Sequence, residues 1–216
     1  MKNVTDTLFL EDFYYPSLSV GAYRYPFPLT GDDHSLALKA QFIDLFSVAI
    51  TNCTMQHAVE TIVDYAKQRK TGNFAFVNAD CLNKAWTQET YRDVLGRMSA
   101  VFADGIGVKL AAKLEKQAVA DNVNGTDMFP LLCQEAAIKN LKIYLLGARP
   151  GVAALCAEKM KLRFPELIIA GTQDGYFKET ETPQVIDNIN SSGAEILIVA
   201  LGAPYKKYGW TNTVAV

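Results

Sequence analysis

Short apolar runs alternate with amphipathic stretches along most of the chain, and the two periods separate cleanly. Runs at 40–50, Asn73–Val77, 101–103, 142–146, 167–170 and 195–201 are compact, rich in β-branched or aromatic residues and bounded by glycine or polar residues, and they read as strands. Between them the apolar positions recur at helical spacing. This pattern predicts helices over Met55–Lys67 with Thr54 as N-cap, over 82–86, 88–98 and 108–116, and from a cap at Thr126 or Asp127 through Lys139. Further helices are predicted over Val152–Arg163, with Pro150 suited to the first turn, and over 183–190.

Repeated strand–loop–helix units need right-handed crossovers, which gives an α/β fold: a single Rossmann-like domain, its sheet mostly parallel and covered by helices on both faces. Residues 1–35 form a proline-punctuated aromatic extension, with Phe13-Tyr14-Tyr15-Pro16 and Tyr23-Arg24-Tyr25-Pro26, and 36–216 form the core domain. No apolar run is long enough to span a bilayer, and no basic segment leads into an apolar one as in a signal peptide, so a cytoplasmic location is expected. A net charge of −2 offers no basic field for a duplex, which argues against nucleic acid as a partner. The two histidines have no ligand-spaced partner, so no metal site is predicted. Cys53, Cys81, Cys133 and Cys156 read as reduced buried thiols, with Cys81 singled out because it follows a strand end.

The chemistry centres on Asp104-Gly105-Ile106-Gly107. An apolar run ends on a carboxylate, two glycines turn the backbone and a helix starts at once, which is where open α/β sheets place their ligands. By itself Asp104 could simply cap that helix. What favours a site is convergence: Asn78 and Asp80, Asp104, Asn124 and Asp127, Arg149, and Asp174 all follow predicted strands or open helices, so one rim of a parallel sheet can gather them. Gly147-Ala148-Arg149-Pro150-Gly151 suits an anion cradle, and a structural turn with a solvated arginine is the equal alternative. Gly105-x-Gly107 invites a dinucleotide reading, but Leu110 stands where that fingerprint needs a third small residue, so a nicotinamide cofactor is disfavoured.

Six motifs in order carry a resemblance: Asn78-Ala79-Asp80, Asp104-Gly105-Ile106-Gly107, Asn122-Val123-Asn124-Gly125-Thr126-Asp127, Gly147-Ala148-Arg149-Pro150-Gly151, Gln173-Asp174-Gly175-Tyr176-Phe177 and Gly202-Ala203-Pro204. Over about residues 40–204 the chain resembles the WecG/TagA/CpsF glycosyltransferases, most of all the exopolysaccharide members. The resemblance implies transfer of a sugar from a UDP-sugar to an undecaprenyl-diphosphate-linked glycan, with inversion and with no cofactor or required metal. It implies Asp104 as catalytic base. Asn78, Asp80, Gly105, Gly107, Asn124, Gly125, Asp127, Gly147, Arg149, Asp174, Tyr176 and Gly202 are then candidates for substrate binding. Phe76 stands where some members carry threonine.

The chain departs from the family pattern near its end. Against that pattern Lys206 is expected to take the place of a glutamine implicated in catalysis, and the resemblance implies that the family's C-terminal appendage, which would complete the site and touch the membrane, is missing. Lys206, Lys207 and Trp210 alone would hold a bilayer weakly, so membrane contact is expected to be weak or lost, at most peripheral at the inner face of the cell membrane. A catalytically weak nucleotide-sugar-binding remnant is the alternative reading, and homo-oligomerisation is left open.

Overall fold

A computed structural model describes residues 42–201 and the backbone of 213–215. The N-terminal extension, Gly202 and Lys206 lie outside the described residues. In chain order the elements are β1 (Phe42–Leu45), β2 (Val48–Thr51), α1 (Met55–Lys67), β3 (Asn73–Val77), α2 (Ala79–Thr87), α3 (Glu89–Gly96), β4 (Ala100–Ala103) and α4 (Ile106–Leu114). Then come α5 (Gly125–Lys139), β5 (Lys142–Gly147), α6 (Val152–Arg163), β6 (Ile168–Gln173), α7 (Thr182–Ser191), β7 (Ile196–Ala200) and β8 (Thr213–Ala215).

The main sheet has the order β4-β3-β8-β7-β5-β6. β3 and β4 are parallel, β5 is parallel to both β6 and β7, and β8 runs antiparallel between β3 and β7. All strands of this sheet except β8 therefore point the same way and end at one edge. Along β3, β4, β5 and β7 the side chains alternate between two buried layers. Phe74, Phe76, Phe102, Ile143, Leu145 and Ile196 pack with α1, α5 and α6. Their neighbours turn to the other face, where Ala75, Val77, Val101 and Ala103 meet α2, α3, α4 and the β1–β2 hairpin. On the same face Tyr144, Leu146, Leu197 and Val199 meet α7. The α/β domain with both sheet faces covered is the expected architecture.

Three local expectations are corrected. The run at 40–50 is a hairpin rather than one strand, because Phe46 and Ser47 adopt left-handed backbone and the Asp44 carboxylate accepts the Ser47 N–H at 3.0 Å. Neither glycine nor proline marks that turn, so the apolar pattern hid it. The cap of α5 is Asn124, not Thr126 or Asp127. Pro150 precedes α6, whose N-cap is Gly151. In agreement with the sequence, Thr54 caps α1 by accepting the His57 N–H at 3.2 Å.

The long connection after α4 is held from below. Asn52, a buried polar residue at the end of β2, donates to the Ala118 carbonyl at 3.2 Å and accepts the Ala120 N–H at 2.7 Å. Asp121 accepts the Met55 and Asn122 N–H groups at 3.0 and 2.7 Å, and these bonds lower its pKa. Asn52→Ala should cost about 2 kcal/mol, the order expected when buried partners lose their hydrogen bonds. Urea unfolding measures it, and a loss below a few tenths of a kcal/mol would refute the clamp.

Candidate functional site

At the carboxyl edge of the parallel strands a pocket of about 330 Å³ opens between the sheet and helices α5 and α6. Phe76, Leu145 and Ile198 of the sheet form its floor, and Met128, Leu132 and Cys156 of the helices form its walls. The rim is made by Asp104, by Gly125 and Thr126 where α5 begins, by Gly147 at the end of β5 and Ala148 just after it, and by Ala200 at the end of β7. The pocket sits where the chain changes sides. The connections after β3 and β4 lead to helices on one face, while the connection after β5 leads to α6 on the other, which is the arrangement that opens a crevice in such sheets.

Asp104 does not cap the helix that follows it: the N-cap of α4 is Gly105, with no side-chain cap bond. Its own N–H donates to the Val77 carbonyl at 2.8 Å, continuing the β3–β4 ladder one residue past the strand. Gly105, at φ 96°, then turns the chain, and its N–H donates to the Asn122 side chain at 2.6 Å. The carboxylate is half-buried on the pocket rim. Burial and, secondarily, the charge of Asp127 push its pKa upward. A carboxylate in this state is a stronger base than a solvated one.

The opposing electrostatics come from the backbone. Gly125 and Thr126 begin α5, and Val152 and Ala153 begin α6; all line the pocket, so two helix N-termini present their positive ends to it. Pro130 has no N–H to offer the Thr126 carbonyl, which leaves that oxygen without its helical donor beside the rim. Gly147 is demanded by its surroundings. Its φ is 130°, and a Cβ there would sit 2.2 Å from the Ala200 carbonyl oxygen. The next residue locks the same contact, since the Ala148 N–H donates to that oxygen at 2.9 Å while its carbonyl accepts the Gly175 N–H at 2.9 Å.

The structure brings together part of the predicted set. Asp104, Gly125 and Gly147 line the pocket, and Asp127 is near enough to Asp104 to act on its charge. Other candidates serve local structure at the same edge. Asn78 caps α2 by accepting the Cys81 N–H at 3.1 Å, and Asn124 both accepts the Asp127 N–H and donates to its carboxylate, at 2.8 and 2.6 Å. Asp80 pairs with Lys84 at 3.2 Å on the exposed side of α2. Gly107 faces the Ala79 Cβ, with 3.0 Å left for a Cβ of its own, so it sets the close approach of α4 to α2. Asp174 folds its loop by accepting the Tyr176 N–H at 2.8 Å, and Arg149 and Tyr176 are exposed beside the pocket rather than lining it.

Sequence reasoning missed Asn122, which fixes the turn after Asp104, and Gly175, whose added Cβ would meet Leu201 at 2.7 Å. Both lay inside quoted motifs, but nothing in residue type alone tells a turn anchor from a ligand contact. The apolar lining was also unassigned, including Phe76, whose ring packs on Gly125. Burial raises the Cys53 and Cys133 thiols to about 12, and Cys81 is buried as well, so these read as core side chains. Among the described residues no group of three or more His, Cys, Asp or Glu side chains converges as a metal would require.

Residues 43–213 match the model of the glycosyl transferase WecG/TagA/CpsF family. The chain belongs to that family. Membership makes it a glycosyltransferase of cell-surface polysaccharide synthesis, and implies a nucleotide-sugar donor and a lipid-linked acceptor. The family match spans every element from the β1–β2 hairpin to the start of β8, so the pocket of this WecG/TagA/CpsF member is built wholly from matched sequence. Among the described residues no helix is long and apolar enough to cross a membrane.

Two outcomes are expected at the site. Gly147→Ala should destabilise the fold by about 2 kcal/mol or more, because a strained backbone and a clash with fixed main chain combine; an unchanged unfolding midpoint would refute the close approach. Asp104 has a folded pKa raised above 3.8, so the folded state holds its proton more tightly than the unfolded chain. Its ionised form therefore destabilises the fold once pH has risen through the folded pKa, and the penalty disappears as pH falls below 3.8. Asp104→Asn should raise the melting temperature at pH 7 and lose that advantage in acid.

Proposed function

We propose that this glycosyltransferase moves a sugar from a UDP-sugar to a glycan linked to undecaprenyl diphosphate, with inversion, using Asp104 as general base. The reading is carried by one observation: a half-buried carboxylate of raised pKa stands on the rim of a pocket that also receives two helix N-termini. A base and an anion-stabilising field at one opening are what a displacement at an anomeric carbon with a diphosphate leaving group requires.

In the step itself the acceptor hydroxyl gives its proton to Asp104 while its oxygen bonds to the anomeric carbon. The bond from that carbon to the diphosphate breaks on the opposite side, and UDP departs with the electron pair. The N-terminal ends of α5 and α6 stabilise the charge that develops on the diphosphate, with Arg149 beside them in the turn before α6. The apolar floor of Phe76, Leu145 and Ile198 suits the flat face of the nucleobase, and Asn78, Asn124 and Asp127 stand at the edge where sugar hydroxyls would lie.

Asp104→Asn should leave UDP binding within about twofold by calorimetry and lower transfer to a lipid-diphosphate acceptor analogue by about 10²–10⁴-fold. Turnover close to wild type would remove Asp104 from the role. In the wild type, kcat/KM should fall as pH drops through the raised Asp104 pKa. Proton NMR of the first product should show the opposite anomeric configuration to the donor, and retention would exclude a single displacement.

A further inference from the structure

Helix α4 starts two residues after Asp104 and is apolar on two opposite sides. Its inner side is ordinary: Val108 and Ala112 are buried in the layer that includes the β1–β2 hairpin. The outer side carries Ile106, Leu110 and Leu114, spaced at i, i+4 and i+8 and exposed at 81%, 58% and 76%. A surface helix normally turns polar residues outward, and three large aliphatic side chains in one outward line leave an apolar stripe that is uncovered among the described residues. Beside the stripe stand Lys113 and Lys116, both exposed, and Lys109; Glu115 is the only acid in 106–116. A local excess of positive charge thus borders the stripe in a chain whose net charge is −2.

We propose that the outer face of α4 is a docking surface for an anionic bilayer, entered side-on by Ile106, Leu110 and Leu114 and flanked by lysines that meet the lipid phosphates. Apolar side chains backed by lysines are the composition that lies at a membrane surface. A second copy of the chain fits less well, since a twofold contact through this stripe would set the same lysines against each other. The placement serves the proposed transfer reaction, on which its purpose rests. With α4 on the bilayer, the end of the stripe at Ile106 puts the Asp104 rim at headgroup level, where the diphosphate of a lipid-linked acceptor is presented. A bilayer-binding element is thereby assigned within the core domain, where sequence reading found none.

The test is flotation of the full 216-residue chain with phosphatidylcholine vesicles, with and without 30% phosphatidylglycerol. The wild type should bind the anionic vesicles, and 0.5 M salt or removal of the anionic lipid should weaken binding. Leu110→Asp/Leu114→Asp should reduce binding at least ~tenfold at an unchanged melting temperature, given the apolar area withdrawn from the lipid. Leu162→Asp, at an equally exposed leucine on the opposite sheet face, should leave it unchanged. Absence of wild-type binding, equal loss in both variants, or a wild-type dimer that the α4 variant splits would overturn the proposal. Vesicle binding needs neither donor nor turnover, so its failure leaves the transfer reaction standing. Conversely, failed transfer to a water-soluble acceptor with intact vesicle binding would count against the reaction alone.

Discussion

The contact between Gly147 and the Ala200 carbonyl is the constraint on which the site depends. Two parallel neighbours, β5 and β7, come so close at their ends that no side chain fits between them, and the Ala148 N–H closes the contact with a hydrogen bond. Immediately beyond it the chain swings onto the face of α6. Had the strands separated gradually, side chains would have filled the gap. Because the two strands stay locked to the last residue of β5 and the chain then turns away into α6, the space above the sheet edge is left open, with core side chains below it and helix N-termini at its mouth.

Much of this was legible because period and punctuation agree. Met55–Lys67 has its apolar face, its threonine cap and a polar end in register, and the helix forms where the sequence sets it. Lys142–Gly147 and Ile196–Ala200 carry buried side chains on both faces, so they read as continuous apolar runs. The β1–β2 hairpin was not legible, since its turn is made by Phe46 and Ser47 in a conformation those residues rarely adopt. β8 was not legible either: Thr213–Ala215 is too short to show alternation, and its place between β3 and β7 is set by pairing partners far away in sequence.

The site divides along a similar line. Glycine-flanked polar residues at strand ends pointed to the edge where the pocket opens, because both caps and ligand contacts need polar side chains there. The same rule could not say which role each plays. Asn78, Asn124 and Asp174 spend an oxygen on nearby backbone N–H groups, and by doing so they fix the starts of α2 and α5 and the turn after β6. Capping and ligand binding are therefore not rival explanations at this edge. A helix can direct its dipole into the pocket only if its first turn is held, and Asn124, bonded to both the backbone and the carboxylate of Asp127, holds α5 in that direction.

Asp104 and the outer face of α4 break local rules in opposite directions. One takes a charge partly out of water, and the other leaves three aliphatic side chains in it. Neither helps the domain to fold, and they stand two residues apart in sequence. Departures from stability rules concentrate where function demands them. A carboxylate becomes a better base by losing solvent, and an apolar stripe becomes favourable only against a surface that excludes water. Asp104 loses its water to the protein's own pocket, and in the proposed docking a boundary between water and lipid drawn along α4 gives the exposed stripe its use beside that rim.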